Sequence, residues 1–171
     1  MRYAAYGSNL HPTRLLQRAA GASLLGAAAV GGRALRFHKR SVDGSGKCNL
    51  IESDGEIHLA VYELEPRDRD HLDWVEGVGA GYEIAEIDLP AYGRCFLYSA
   101  ADSHIDESLK PYSWYKELVL VGAEYLGFPK PYIEAIAAVE TLVDPDPVRH
   151  SENMRIVEKA LAVGTAQPLE S

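Results

Sequence analysis

Strand-like alternation is confined to residues 2–99, and helix-like periodicity dominates residues 112–162. This segregation constrains the fold more than any other feature of the chain. Strands alternating with helices build parallel βαβ units, whereas strands gathered ahead of helices build an α+β domain. An α+β domain is therefore expected. The strand candidates are 2–6, a segment ending at 35–38, 48–52, 57–63, 82–89 and 92–99, with Ser53, Asp54 and Gly55 read as a turn. Pro12 opens a short helix with Leu15 and Leu16 on its buried side, and Pro66 opens another that carries Leu72 and Val75 and stops at Gly77. Longer helices are expected at 112–126, 131–143 and 147–162, the last capped by Asp146.

With 171 residues, 47% hydrophobic and 25% charged, the chain has material for one core, expected to span 1–163 with a frayed tail at 164–171. A net charge of −8 argues against nucleic acid or an anionic membrane as the main partner. The expected partner is a small molecule, and the protein itself a monomer or homodimer. No apolar run reaches the roughly 20 residues that span a bilayer, and residues 1–6 lack a signal-peptide pattern, so the expected compartment is the cytoplasm. Cys48 and Cys95 lie far apart and read as reduced, buried thiols. The six histidines show no metal-ligand spacing, and no nucleophile elbow or dinucleotide fingerprint is found. Gly44-Ser45-Gly46-Lys47 lacks the full phosphate-loop spacing. No metal or cofactor is called for.

Three features carry chemistry. The first is Tyr6-Gly7-Ser8-Asn9-Leu10, where a strand runs into a turn before a helix. Such a turn exposes successive backbone N–H groups able to hold an anion or a carbonyl oxygen, although a plain connection has the same pattern. The second is Glu76, on the last turn of a short helix beside Val75 and Val78. A partly apolar pocket and the helix C-terminus both favour the protonated carboxyl, which suits a group exchanging protons near neutral pH. A solvent-facing glutamate is the plainer alternative. The third is tyrosine content, ten against three phenylalanines, with Tyr82, Tyr98, Tyr112 and Tyr115 on the later strands and first long helix. Tyrosine offers an apolar wall and a hydroxyl to orient a polar ligand.

Taken together these segments resemble the γ-glutamyl cyclotransferase family. Tyr6 to Leu10 is similar to that family's signature loop, and Leu72-Asp73-Trp74-Val75-Glu76-Gly77-Val78 to the segment with its catalytic glutamate. Tyr115-Lys116, then Gly122-Ala123 and Gly127-Phe128-Pro129, is similar to the family's helix after the last strands. The resemblance spans residues 3–129.

It implies a small mixed-strand β-barrel flanked by helices, with a pocket at one mouth. It also implies an acyl transfer in which a substrate's α-amine attacks its own γ-glutamyl carbonyl, forming 5-oxoproline and releasing an amine or amino acid. Glu76 is then the catalytic acid/base, and Tyr6, Gly7, Ser8, Asn9, Leu10, Tyr82, Tyr98 and Tyr115 bind substrate. The loop amides would hold either the α-carboxylate or the oxygen that gains charge. Lys47, in the 43–47 loop, is a further group able to meet a carboxylate. The alternatives are a non-catalytic binding or regulatory module of the same fold, and hydrolysis of a γ-glutamyl bond.

Overall fold

The computed structural model describes residues 1–164, so the tail expected at 164–171 lies, beyond Gly164, outside the described residues. Five strands form one mixed sheet in the order β2-β3-β1-β5-β4: β1 Arg2–Ala5, β2 Ser23–Arg40, β3 Gly46–Glu63, β4 Tyr82–Leu89 and β5 Gly93–Ala100. β1 is central, antiparallel to β3 and parallel to β5, with Tyr3 opposite Phe96. Burial on both faces fits its sequence, Tyr3-Ala4-Ala5, which has no charged position after Arg2. The outer strands β2 and β4 do not pair with each other, so the sheet is a barrel only in a loose sense.

β2 and β3 are each 18 residues long and pair along most of their length. The sequence reading splits this region into shorter strands, because Ser53-Asp54-Gly55 has turn chemistry. The structure corrects that. Gly31 faces Glu56 while Arg33 faces Glu52, so β3 absorbs the extra residues as a bulge without reversing direction.

The helices are α1 Pro12–Leu15, α2 Pro66–Glu76, α3 Ser113–Tyr125, α4 Lys130–Ala137 and α5 Pro147–Leu161. Leu15 is fully buried, but Leu16 is 43% exposed. In a single turn, the ~100° step between neighbours carries Leu16 off the buried face. α4 stops short of the expected 143. The chain beyond it is drawn back to α3, where Leu142 accepts from Ser113 N–H at 3.0 Å and donates to Pro111 C=O at 2.9 Å. α5 is capped as expected, with Asp146 accepting from the Val148 and Arg149 N–H groups. Cys48 and Cys95 are free and buried.

α1 begins at His11, whose Nδ1 accepts from Thr13 N–H at 3.0 Å and whose ring packs 4.3 Å from that of Tyr125. Its Nε2 is buried without a partner among the described residues. Burial pushes the imidazole pKa down to about 4, against about 6.5 in an unfolded chain. The unfolded state therefore takes up the proton first. Stability from this residue is complete above pH 6.5 and is lost as pH falls toward 4. About 2 kcal/mol is expected to go between pH 7.5 and pH 5. Urea unfolding of wild type and His11→Asn, which keeps a capping acceptor, measures it: the stability difference between the two should change by that amount across the range. A pH-independent difference would contradict the account.

Candidate active site

The turn after β1 lies against the C-terminal end of α2. Gly77 adopts φ 71°, which closes α2 immediately after Glu76. The Glu76 side chain is 16% exposed. Its Oε1 accepts from Arg18 Nη1 at 2.6 Å and from Asn9 Nδ2 at 2.8 Å. Arg18 Nη1 also donates to Asn9 Oδ1 at 3.1 Å, and Asn9 Nδ2 to the Tyr3 hydroxyl at 3.1 Å. The carboxylate is thus held by two residues of the N-terminal segment, Asn9 and Arg18, and Asn9 in turn by Tyr3. The Arg18 guanidinium is a direct charge partner that the sequence reading does not anticipate.

Within the 7–10 turn, Leu10 N–H donates to Gly7 C=O at 3.1 Å. The N–H groups of Gly7, Ser8 and Asn9 make no backbone hydrogen bond among the described residues. They are available to a ligand oxygen. Gly7 is required for space: a Cβ there would lie 3.0 Å from Cys48 Cβ and 3.3 Å from the Tyr115 hydroxyl.

A narrow inner cleft is lined by this turn, Glu76, Cys48 and the tyrosines 3, 6, 82, 98 and 115. Of the residues expected from the sequence, Tyr6, Gly7, Ser8, Asn9, Glu76, Tyr82, Tyr98 and Tyr115 meet here. Leu10 does not. It is fully buried in the core and holds the turn through its C=O, which accepts from the Tyr62 hydroxyl at 2.8 Å.

The tyrosine hydroxyls are less free than their number implies. Tyr6 donates to Tyr98 C=O, Tyr82 to Cys48 C=O at 2.6 Å, and Tyr98 to Asp73 Oδ1 at 2.6 Å. Tyr115 accepts from Cys48 N–H at 3.1 Å. Of the cleft tyrosines, Tyr3 and Tyr115 are those whose hydroxyl hydrogen goes to no hydrogen-bond acceptor among the described residues. Burial pushes the Cys48 thiol up to about 12, so it is a neutral wall and not a thiolate nucleophile.

A wider vestibule adjoins the cleft and shares Ser8, Glu76, Tyr82 and Tyr115 with it. Lys47 lines it, paired with Asp43 at 2.8 Å and 4.5 Å from the Trp114 ring centre. The 43–47 loop is thus ordered by its own contacts, with Ser45 N–H donating to Asp43 Oδ1 at 3.0 Å. His38 is buried between Glu107 and Asn49, at 2.7 and 3.1 Å.

No family model and no curated sequence matches the chain. Its structure does match solved ones. It superposes on a structure described as "Gamma-glutamyl cyclotransferase" with a TM-score of 0.81 and 26% identity, over 93% of this chain and 98% of the other. The chain has the γ-glutamyl cyclotransferase-like fold. The fold is shared by an uncharacterized protein from Homo sapiens, at a TM-score of 0.76 and 24% identity over 92% of this chain and 97% of the other. It is also shared by YkqA from Bacillus subtilis, at 0.70 and 20% over 83% of this chain and 56% of that one.

Tyr3 and Cys48 line the cleft and Arg18 holds Glu76, but the sequence reading names none of the three as a site residue. For Arg18 there is a signal. Arg14 and Arg18 stand four apart just after the signature turn, a spacing that sets two cations on one helical face.

Proposed function

We propose that the protein is a γ-glutamyl cyclotransferase with Glu76 as its general acid/base. The observation that carries this reading is the carboxylate of Glu76, oriented by Arg18 and Asn9, at the mouth of a cleft floored by unpaired backbone amides. The glutamyl α-nitrogen enters as an ammonium, since α-amines titrate near ~8. Glu76 takes one proton, and the amine attacks the γ-carbonyl carbon, closing a five-membered ring. The carbonyl oxygen becomes an oxyanion, which the amides of Gly7, Ser8 or Asn9 are placed to stabilise. Collapse breaks the bond to the leaving nitrogen. In total two ammonium protons pass by way of the carboxylate to that nitrogen, which departs as an ammonium, and one stays on the lactam. The tyrosine walls hold the substrate folded for ring closure.

Incubating the protein with γ-glutamyl dipeptides and γ-glutamyl amines, and measuring products by mass spectrometry, tests the reading. 5-Oxoproline with the free amine is the expected outcome. Free glutamate would replace cyclisation by hydrolysis, and no turnover of any member would favour a binding module.

A further inference from the structure

The vestibule carries more positive charge than its own acids neutralise. Arg14, Arg18, Lys39 and Lys47 line it, against Asp43 and Glu76, in a chain whose net charge is −8. Arg18 is matched by Glu76 at 2.6 Å and Lys47 by Asp43 at 2.8 Å. Arg14 and Lys39 form no ion pair among the described residues. Arg14 Nε is buried with no hydrogen-bond partner among them. Lys39 is buried, its Nζ lying 4.4 Å over the ring of Tyr82, which lines both the vestibule and the inner cleft. Burial opposes both charges, pushing Arg14 down to about 9 and lowering Lys39 as well. Two desolvated cations without counter-charges cost folding free energy. An anion bound in the vestibule that both line offsets that cost.

The geometry also says which part of a substrate this anion belongs to. The narrow inner cleft is lined by the signature turn and by tyrosines 3, 6, 82, 98 and 115, which on the cyclotransferase reading hold the glutamyl group, whereas the vestibule shares Ser8, Glu76, Tyr82 and Tyr115 with it and adds the cations. The group leaving from the γ-carbonyl must occupy the wider space. We infer that the vestibule is an anion subsite for the leaving group, and that the preferred substrates are γ-glutamyl conjugates of an amine bearing two negative charges. This rests on the cyclotransferase reading. A dicarboxylic amino acid and a phosphate-bearing amine share that chemistry.

The test compares γ-glutamyl-aspartate, γ-glutamyl-phosphoethanolamine and γ-glutamyl-propylamine, by kcat/KM for 5-oxoproline release, in wild type, Arg14→Gln and Lys39→Met. Wild type is expected to prefer at least one anionic conjugate to the propylamine conjugate by ~10-fold or more. Whichever is preferred identifies the source of the charge. Each variant should shrink that preference by a similar factor. No preference in wild type overturns the inference. So does an equal loss on all three substrates, which would assign the cations to the glutamyl α-carboxylate that they share. If no conjugate is turned over, calorimetry with succinate and inorganic phosphate separates the two readings. Saturable binding weakened ~10-fold or more in Arg14→Gln supports the subsite without the reaction, and absence of binding to wild type removes it.

Discussion

Glu76→Gln should lower kcat for 5-oxoproline release by ~10²-fold or more, the contribution typical of general acid–base catalysis, with little change in KM. The split follows from the geometry. Glutamine keeps a side-chain oxygen that can accept from Asn9 Nδ2 and Arg18 Nη1, the partners of Glu76 Oε1 at 2.8 and 2.6 Å. The turn therefore stays in place, and substrate binding with it. What is lost is the ability to take the ammonium proton and return it to the leaving nitrogen. A loss in kcat alone marks an interaction used during the reaction rather than in binding. Thermal unfolding should show a loss of stability, because the hydrogen bonds can persist but the partly buried Arg18 loses its counter-charge. Turnover equal to wild type would remove Glu76 from its role, and a rise in KM with kcat preserved would make it a binding group only.

Gly122→Val should be the most damaging single change outside the cleft, destabilising the domain by at least ~3 kcal/mol, at or beyond the usual range for overpacking. Gly122 lies in α3 where the helix crosses the signature turn. A Cβ there would overlap Leu10 Cβ and come 3.0 Å from the backbone N of His11. Neither can retreat. Leu10 is fully buried, and its C=O is held by the Tyr62 hydroxyl, while His11 caps α1. The clash therefore moves the backbone immediately after Asn9, and with it the amide that holds Glu76. Urea unfolding should show the lost stability, and any folded fraction should turn over more slowly per molecule than wild type. A variant with stability within about 0.5 kcal/mol of wild type would show that α3 and the turn are not locked together.

What was legible in the sequence was local. Tyr6 to Leu10, Glu76 before Gly77, and Asp146 before Pro147 are contiguous patterns whose chemistry follows from neighbours in the chain. The α+β class was legible for the same reason, since the order of strands and helices is a linear property. What escaped depends on partners far away. Nothing near Tyr3 or Cys48 indicates that both line a cleft with Tyr98 and Tyr115, and only the sheet brings them together. The turn chemistry of Ser53-Asp54-Gly55 is real, but pairing with β2 overrides it and makes a bulge. The tyrosines illustrate the same limit. Their count was visible, yet whether each hydroxyl is free depends on acceptors such as Cys48 C=O and Asp73, which the fold supplies.

The central place of β1 has a consequence for how the protein reaches this structure. Tyr3 pairs with Tyr62 on one side and Phe96 on the other, so the strand that carries the signature turn waits for segments much later in the chain. Loop closure over such separations is slow relative to local hairpins such as that of β4 and β5. Until β3 and β5 arrive, the Tyr3-Ala4-Ala5-Tyr6 stretch presents bare strand edges of low charge, a surface on which partly folded chains stick to one another. The cleft is then among the last features to assemble, and conditions that delay its completion, such as warm expression at high concentration, should be paid in aggregates rather than in a stable, inactive monomer.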